Sequence, residues 1–447
     1  MAGTCGASQG GLTMKRPIRF DDSLPQLVKC LKAAYAGELS AAEPIVIRDF
    51  EGRLGVILDI PAADIDSLNS AVAECLGPYA RPDNPVRARN SADVSRIIEE
   101  APAAPVLNIG GLNVRLLDRR IVGADWMRRP VLEPGAIPRI AFVSIKGGVG
   151  RSTALSIAAT HLAQAGLRVL TVDLDLEAPG LGPTLLKSDE LPPYGVVDWL
   201  VENGLSGIDG MFRADCIGKS SLLDGISVVP AFGSQTVDHP ANALAKIARA
   251  SLEDIRDATP LSLRDQLQEM LTSFEATGDY DVVLIDGRAG LHETTAAPVL
   301  GLGAKVLLFG INEPQTFQGY AFLFAHIRER IPGGKDWEEN AWFVQAKADP
   351  GDAEIARERF DALWRREEGP LARPERLGPD DLELVWVDND APAALPQEPV
   401  PMLRILNDER YRSFNPVENR VQLDERLVRS TFGELLDWLD EQMDLAK

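Results

Sequence analysis

The stretch that decides the fold is RIAFVSIKGGVGRSTALSIAATHLAQAG, residues 139–166. An apolar strand, Arg139 to Ile145, runs without pause into Lys146-Gly147-Gly148-Val149-Gly150-Arg151-Ser152-Thr153, and a helix-forming segment follows, closed by Gly166. Glycines let successive backbone N–H groups converge on phosphate oxygens, and the start of the helix adds its positive end. The pattern predicts a triphosphate cradle formed by Gly147, Gly148, Val149, Gly150, Arg151, Ser152 and Thr153. The hydroxyl of Ser152 stands where such a loop holds magnesium, and Thr153 can bond a phosphate oxygen. A glycine-rich turn alone is a weak signal, so its surroundings must carry the argument.

Further along, apolar runs alternate with helical segments: RVLTVDL, GISVVPAF, DVVLID, AKVLLFG, AWFVQA and LELVWV as strands, with helices expected from about Glu293, from about Gln315, around 352–368 and at the C-terminus. Continuous Val/Ile/Leu runs separated by helices predict an α/β fold, a doubly wound and mostly parallel sheet covered on both faces. Ligands on such sheets bind beyond the carboxyl ends of the strands. Two of these ends are acidic. The second strand finishes in Asp173-Leu174-Asp175, and DVVLID finishes in Asp286 before Gly287-Arg288-Ala289-Gly290. Carboxylates there can hold a metal through water or orient an attacking water.

With motif, acidic second strand and DVVLIDGRAG switch in this order, residues 139–447 resemble the ParA/MinD family of deviant-Walker-A ATPases, in the variant group whose motif ends KGGVGR. The resemblance implies ATP and Mg2+ as ligands and an ATP-dependent homodimer in which Lys146 reaches the partner's nucleotide. It implies a catalytic set of Lys146, Asp175 and Arg151, with Asp175 orienting water, and a metal set of Ser152, Asp173 and Asp286. Two departures stand out. Ile145 and Arg151 fill the first glycine and the lysine positions of the general GxxxxGK[ST] pattern, and a planar guanidinium is not a conservative exchange for a compact ammonium. At Gln345-Ala346-Lys347 many relatives carry an Asn that helps read adenine. Arg288 is read either as a transition-state arginine or as half of an ion pair.

Upstream the pattern is different. Residues 1–14 are small and expected to be flexible. PIVIRDF and RLGVILDI read as a hairpin around Glu51-Gly52, and ADIDSLNSAVAECL as a helix, followed by a short helix and the strand LNVRLL. A small α+β domain over residues 15–130 is predicted, then a Pro/Gly-rich linker over 131–138 and the P-loop domain over 139–447. The first domain carries no chemical motif and is assigned the choice of a protein partner.

Across 447 residues the net charge is −21, and residues 139–447 hold nearly all of it at −20. That balance disfavours contact with nucleic acid or anionic lipid. The Arg115, Arg119, Arg120, Arg128, Arg129 cluster reads as a solvated edge or docking surface. The amphipathic segment 432–447 is flanked by acids and reads as a packing helix instead of a membrane anchor. Four scattered cysteines argue against a disulfide framework or zinc cluster, and the lack of a long apolar run or secretion signal points to the cytoplasm. Two functions follow: a nucleotide-dependent ATPase switch that positions or regulates a partner, or a nucleotide-binding regulatory subunit with little turnover, which the arginine at 151 motivates.

Overall fold

A computed structural model describes residues 18–35, 39, 42–120, 122–205, 207–256, 259–349, 351, 353–364 and 402–445. The segment expected to be flexible, 1–14, and the strand expected at LELVWV, 382–387, lie outside them. The chain divides into two compact units, Met1–Val122 and Gly123–Lys447.

The first unit holds one sheet of five strands, β1 Ile45–Arg48, β2 Leu54–Leu58, β3 Val86–Ala88, β4 Val106–Ile109 and β5 Leu112–Asp118, in the order β3-β2-β1-β5-β4. The β1–β2 hairpin is antiparallel, and its turn uses Gly52 at φ +85°, a conformation that a Cβ disfavours. Helices Phe20–Ala34 and Ile65–Leu76 lay Leu24, Leu27, Val28, Leu31, Leu68 and Val72 on one face of the sheet. Arg115 pairs with Glu43, Arg119 with Glu100 and Arg120 with Asp118, so the upstream half of the basic cluster is internally neutralised.

In the second unit a central sheet gathers β6 Arg139–Ser144, β7 Val169–Asp173, β8 Gly218–Lys219, β9 Ile226–Val229, β12 Val282–Ala289, β13 Lys305–Gly310, β14 Ala341–Ala348 and β15 Met402–Leu406. A short hairpin, β10 Asp254–Arg256 and β11 Thr259–Leu261, stands apart from it. The order is β15-β14-β13-β6-β12-β7-β9-β8, with every pairing parallel except β8–β9. Alternation along the strands builds the two faces. Ile140, Phe142 and Leu284 pack with helices Arg151–Gln164 and Glu425–Gln442, whereas Ala141, Leu170 and Ile285 pack with helices Val196–Asn203 and Leu263–Glu275. In the last helix Leu435, Leu436, Trp438 and Leu439 are buried in the first of these clusters.

The predicted boundary shifts. Residues 123–138 belong to the second unit instead of ending the first domain and forming a free linker. Trp126 is buried and donates its indole N–H to the His292 carbonyl. Arg128 bonds Ser262 and Asp265, and the Val131 amide bonds the Leu300 carbonyl. Prolines in RRPVLEPGAIP suggest a linker because they forbid regular structure, yet irregular backbone packs well when its polar groups find such partners.

Candidate functional site

The first crossover of the sheet places the glycine loop. β6 ends at Ser144, and the helix Arg151–Gln164 begins from Gly150 at φ +95°, with Gly148 at φ +73°. Left-handed backbone at these two positions lets the chain make a tight turn into the helix, and glycine adopts it without the clash that L side chains meet. The loop opens on a cleft of about 790 Å³ lined by Gly147 to Thr153, by Asp175, Glu177 and Arg288, and by Lys347 and residues 405–409, 411, 412, 431 and 432.

Under the loop lies a compact ionic centre. Arg151 is 8% exposed. Its Nε donates to Asp286 Oδ1 at 2.6 Å, Nη2 to Asp175 Oδ2 at 2.8 Å and Nη1 to Ser144 Oγ at 2.9 Å. Burial works against the charged guanidinium, but Asp286 and Asp175 hold it above its ordinary value. Ser152 Oγ donates to the other Asp286 oxygen at 2.5 Å. Burial lifts the Asp286 carboxyl above the usual range, against the pull of Arg151 and Ser152. Asp173 braces the chain beyond β7: Oδ1 accepts the Asp175 amide, and Oδ2 accepts those of Gly180 and Leu181. Burial and the neighbouring Asp286 push its carboxyl up to about 8 even so.

The metal that the resemblance implies can be tested against these donors. All six carboxylate oxygens of Asp173, Asp175 and Asp286 already accept hydrogen bonds, the last from the Ala178 amide to Asp175 Oδ1 at 3.3 Å. Among the described residues no group of three His, Cys, Asp or Glu side chains could hold an ion. A guanidinium stands between Asp175 and Asp286, yet each carboxylate oxygen keeps a second lone pair and Ser152 Oγ reaches Asp286, so the set fits magnesium as such ions are held beside nucleotides, by a hydroxyl and one or two carboxylates, directly or through water, with phosphate oxygens completing the shell.

Lys146 stands apart from that centre. Its ammonium pairs with Glu313 Oε2 at 2.7 Å, both side chains partly exposed. Arg288, beside a register shift of β12 between Asp286 and Ala289, forms a two-point bridge with Glu177, at 2.7 and 2.6 Å. The structure thus brings together Gly147 to Thr153, Asp173, Asp175 and Asp286, and leaves Lys146 on a separate partner.

Residues 138–329 match the family model described as an AAA domain. The matched stretch lies within the second unit and includes the glycine loop and the strands β6, β7, β12 and β13. Among solved structures, the chain is similar to a ParA family ATPase from Chlorobium tepidum TLS, at 17% identity over 68% of this chain and 98% of that one, TM-score 0.43. It is likewise similar to the cell division ATPase MinD from Pyrococcus furiosus, at 18% identity over 69% and 99%, TM-score 0.43. A third similarity is to MinD from Aquifex aeolicus, at 14% identity over 69% and 98%, TM-score 0.44. No curated protein matches the sequence. No helix among the described residues is long and apolar enough to cross a membrane.

The wall of the cleft built around β15 escapes the motif reading. Leu406 ends β15, and Asn407, Asp408 and Tyr411 follow it, at the carboxyl end of a strand, which is where the fold rule puts ligand contacts. Asp408 accepts from Arg410 and Thr431, and Arg410 above all holds its carboxyl well below the usual range. The signal that could have found this wall is the Asn407-Asp408 pair at a strand end.

Proposed function

We propose that the P-loop domain binds a purine nucleoside triphosphate, ATP by the resemblance, and serves as a nucleotide-dependent dimer switch that positions or regulates a partner recognised by the first unit. The observation that carries the reading is the glycine loop opening on a cleft of nucleotide size, with an ionic centre of Arg151, Asp175 and Asp286 beneath it. The amides from Gly147 to Thr153 cradle the phosphates, and Ser152 and Thr153 add hydroxyl contacts. Lys146 leaves Glu313 to reach the nucleotide of a second copy. Arg288 parts from Glu177 before it meets phosphate. Asp175 orients the attacking water once Arg151 releases it. Ser152 would hold Mg2+ together with Asp286 and Asp173, directly or through water, and the ion would offset phosphate charge when bound; no step here runs through it.

One observation favours the second reading, a regulatory nucleotide-binding subunit with little turnover. The carboxylate needed for water is held by the guanidinium that replaces the P-loop lysine. Calorimetry with ATP and GTP, light scattering with and without nucleotide, and phosphate release separate the cases. Binding with an ATP-driven rise to dimer mass and steady turnover supports the switch. Binding without turnover supports the regulatory reading, and no binding removes both.

A further inference from the structure

The glycine loop has given up the ammonium that usually meets the phosphates, and the arginine in its place is committed to two carboxylates and Ser144. The other cations lining the cleft divide sharply. Arg288 is bound at two points by Glu177, and Arg412 faces Glu409 at 3.5 Å. Lys347 also lines the cleft, and among the described residues it pairs with no carboxylate; its Nζ donates to the Gly148 carbonyl at 2.7 Å. We propose that Lys347 is the ammonium that receives the nucleotide's phosphates here, in place of the P-loop cation at position 151, an inference that rests on the nucleotide reading above.

Backbone geometry supports it independently of charge. β14 carries one extra residue between Gln345 and Ala348, opposite the step from Arg404 to Leu406 on β15. Bulges of this kind re-aim a side chain and recur beside functional sites. Within it Lys347 adopts φ +51°, a left-handed conformation that a lysine holds only under constraint. The result is that Nζ touches the Gly148 peptide, whose partner N–H is that of Val149, one of the cradle amides. An ammonium has three donors, so one bond to Gly148 leaves two for phosphate oxygens. A cation is needed as well: Arg151, Asp175 and Asp286 together leave the floor no excess of positive charge, and a triphosphate arriving there requires one.

The test uses the full-length protein and calorimetric titration with ATP and with inorganic tripolyphosphate. Lys347→Gly removes the charge while relieving the left-handed backbone, so it is expected to keep or raise Tm. It is also expected to weaken both ligands by about tenfold or more, as loss of a charge-assisted bond does. Lys347→Met keeps the length of the side chain and the left-handed backbone but removes the charge, and is expected to weaken both ligands as much as Lys347→Gly does. The proposal is overturned if either variant binds ATP less than tenfold more weakly than wild type. Wild-type protein that binds no purine triphosphate would instead remove the underlying reading.

Discussion

Removing Arg151 tests the ionic centre most severely. Arg151→Ala leaves Asp286, wholly buried, and Asp175, 7% exposed, facing each other without their shared cation. Taking one partner from a buried, hydrogen-bonded pair destabilises by about 3–5 kcal/mol, because the abandoned charge has no water to turn to. Unfolding entropy of ~2.1 cal/mol/K per residue over a unit of roughly 320 residues makes each degree of Tm about 0.7 kcal/mol, so Tm is expected to fall by about 4–7 °C. The loss depends on pH. Asp286 is already above its ordinary value because of burial, and Arg151 is the main influence pulling it down. Without that cation its folded-state value rises further, so the folded variant takes up a proton that the unfolded chain does not. The variant's stability therefore recovers as pH falls through that raised value. Thermal unfolding of wild type and variant at pH 8 and pH 5.5 should show the larger gap at pH 8. A Tm drop below about 1 °C, or an equal drop at both pH values, would refute the reasoning, since an exposed pair is worth only ~0–1 kcal/mol.

Three further outcomes follow from the same geometry. Lys146→Ala breaks a partly exposed pair with Glu313 and should shift stability by under ~1 kcal/mol, while light scattering should show the ATP-driven rise to dimer mass abolished. Gly150→Ala puts a Cβ at φ +95°, which should cost about 1–3 kcal/mol by thermal unfolding and weaken ATP in calorimetry because the cradle amides turn away. Asp265→Ala releases Arg128 and loosens residues 123–138. The expected loss is ~1 kcal/mol, with faster proteolysis in that segment and unchanged ATP affinity.

The sheet was legible because its signal is physical and repeated. Parallel strands buried on both faces must be apolar throughout, so RIAFVS, VLTVD and VVLID announce themselves, and the glycine loop fixes where the crossover helix begins. Asp175 and Asp286 are found by the same logic, as acids at strand ends. The partner that joins them was not legible, because nothing in the order of residues says that a guanidinium from the loop reaches both. The strand Met402–Leu406 was missed since Arg404 interrupts its apolar run, and with it went the wall of the cleft built around it. Lys347 reads as one residue in a short polar interruption. Only the bulge and its left-handed backbone bring it to the glycine loop. The boundary near residue 130 was misplaced for a related reason: prolines mark an absence of regular structure, and whether such a segment packs depends on distant partners such as Asp265 and His292.

Titrating ATP into the wild-type protein in a calorimeter is the shortest route to a decision. A saturable heat near one nucleotide per chain, lost in Gly150→Ala, is what a phosphate cradle at residues 147–153 requires. A flat trace with ATP and with GTP would contradict it.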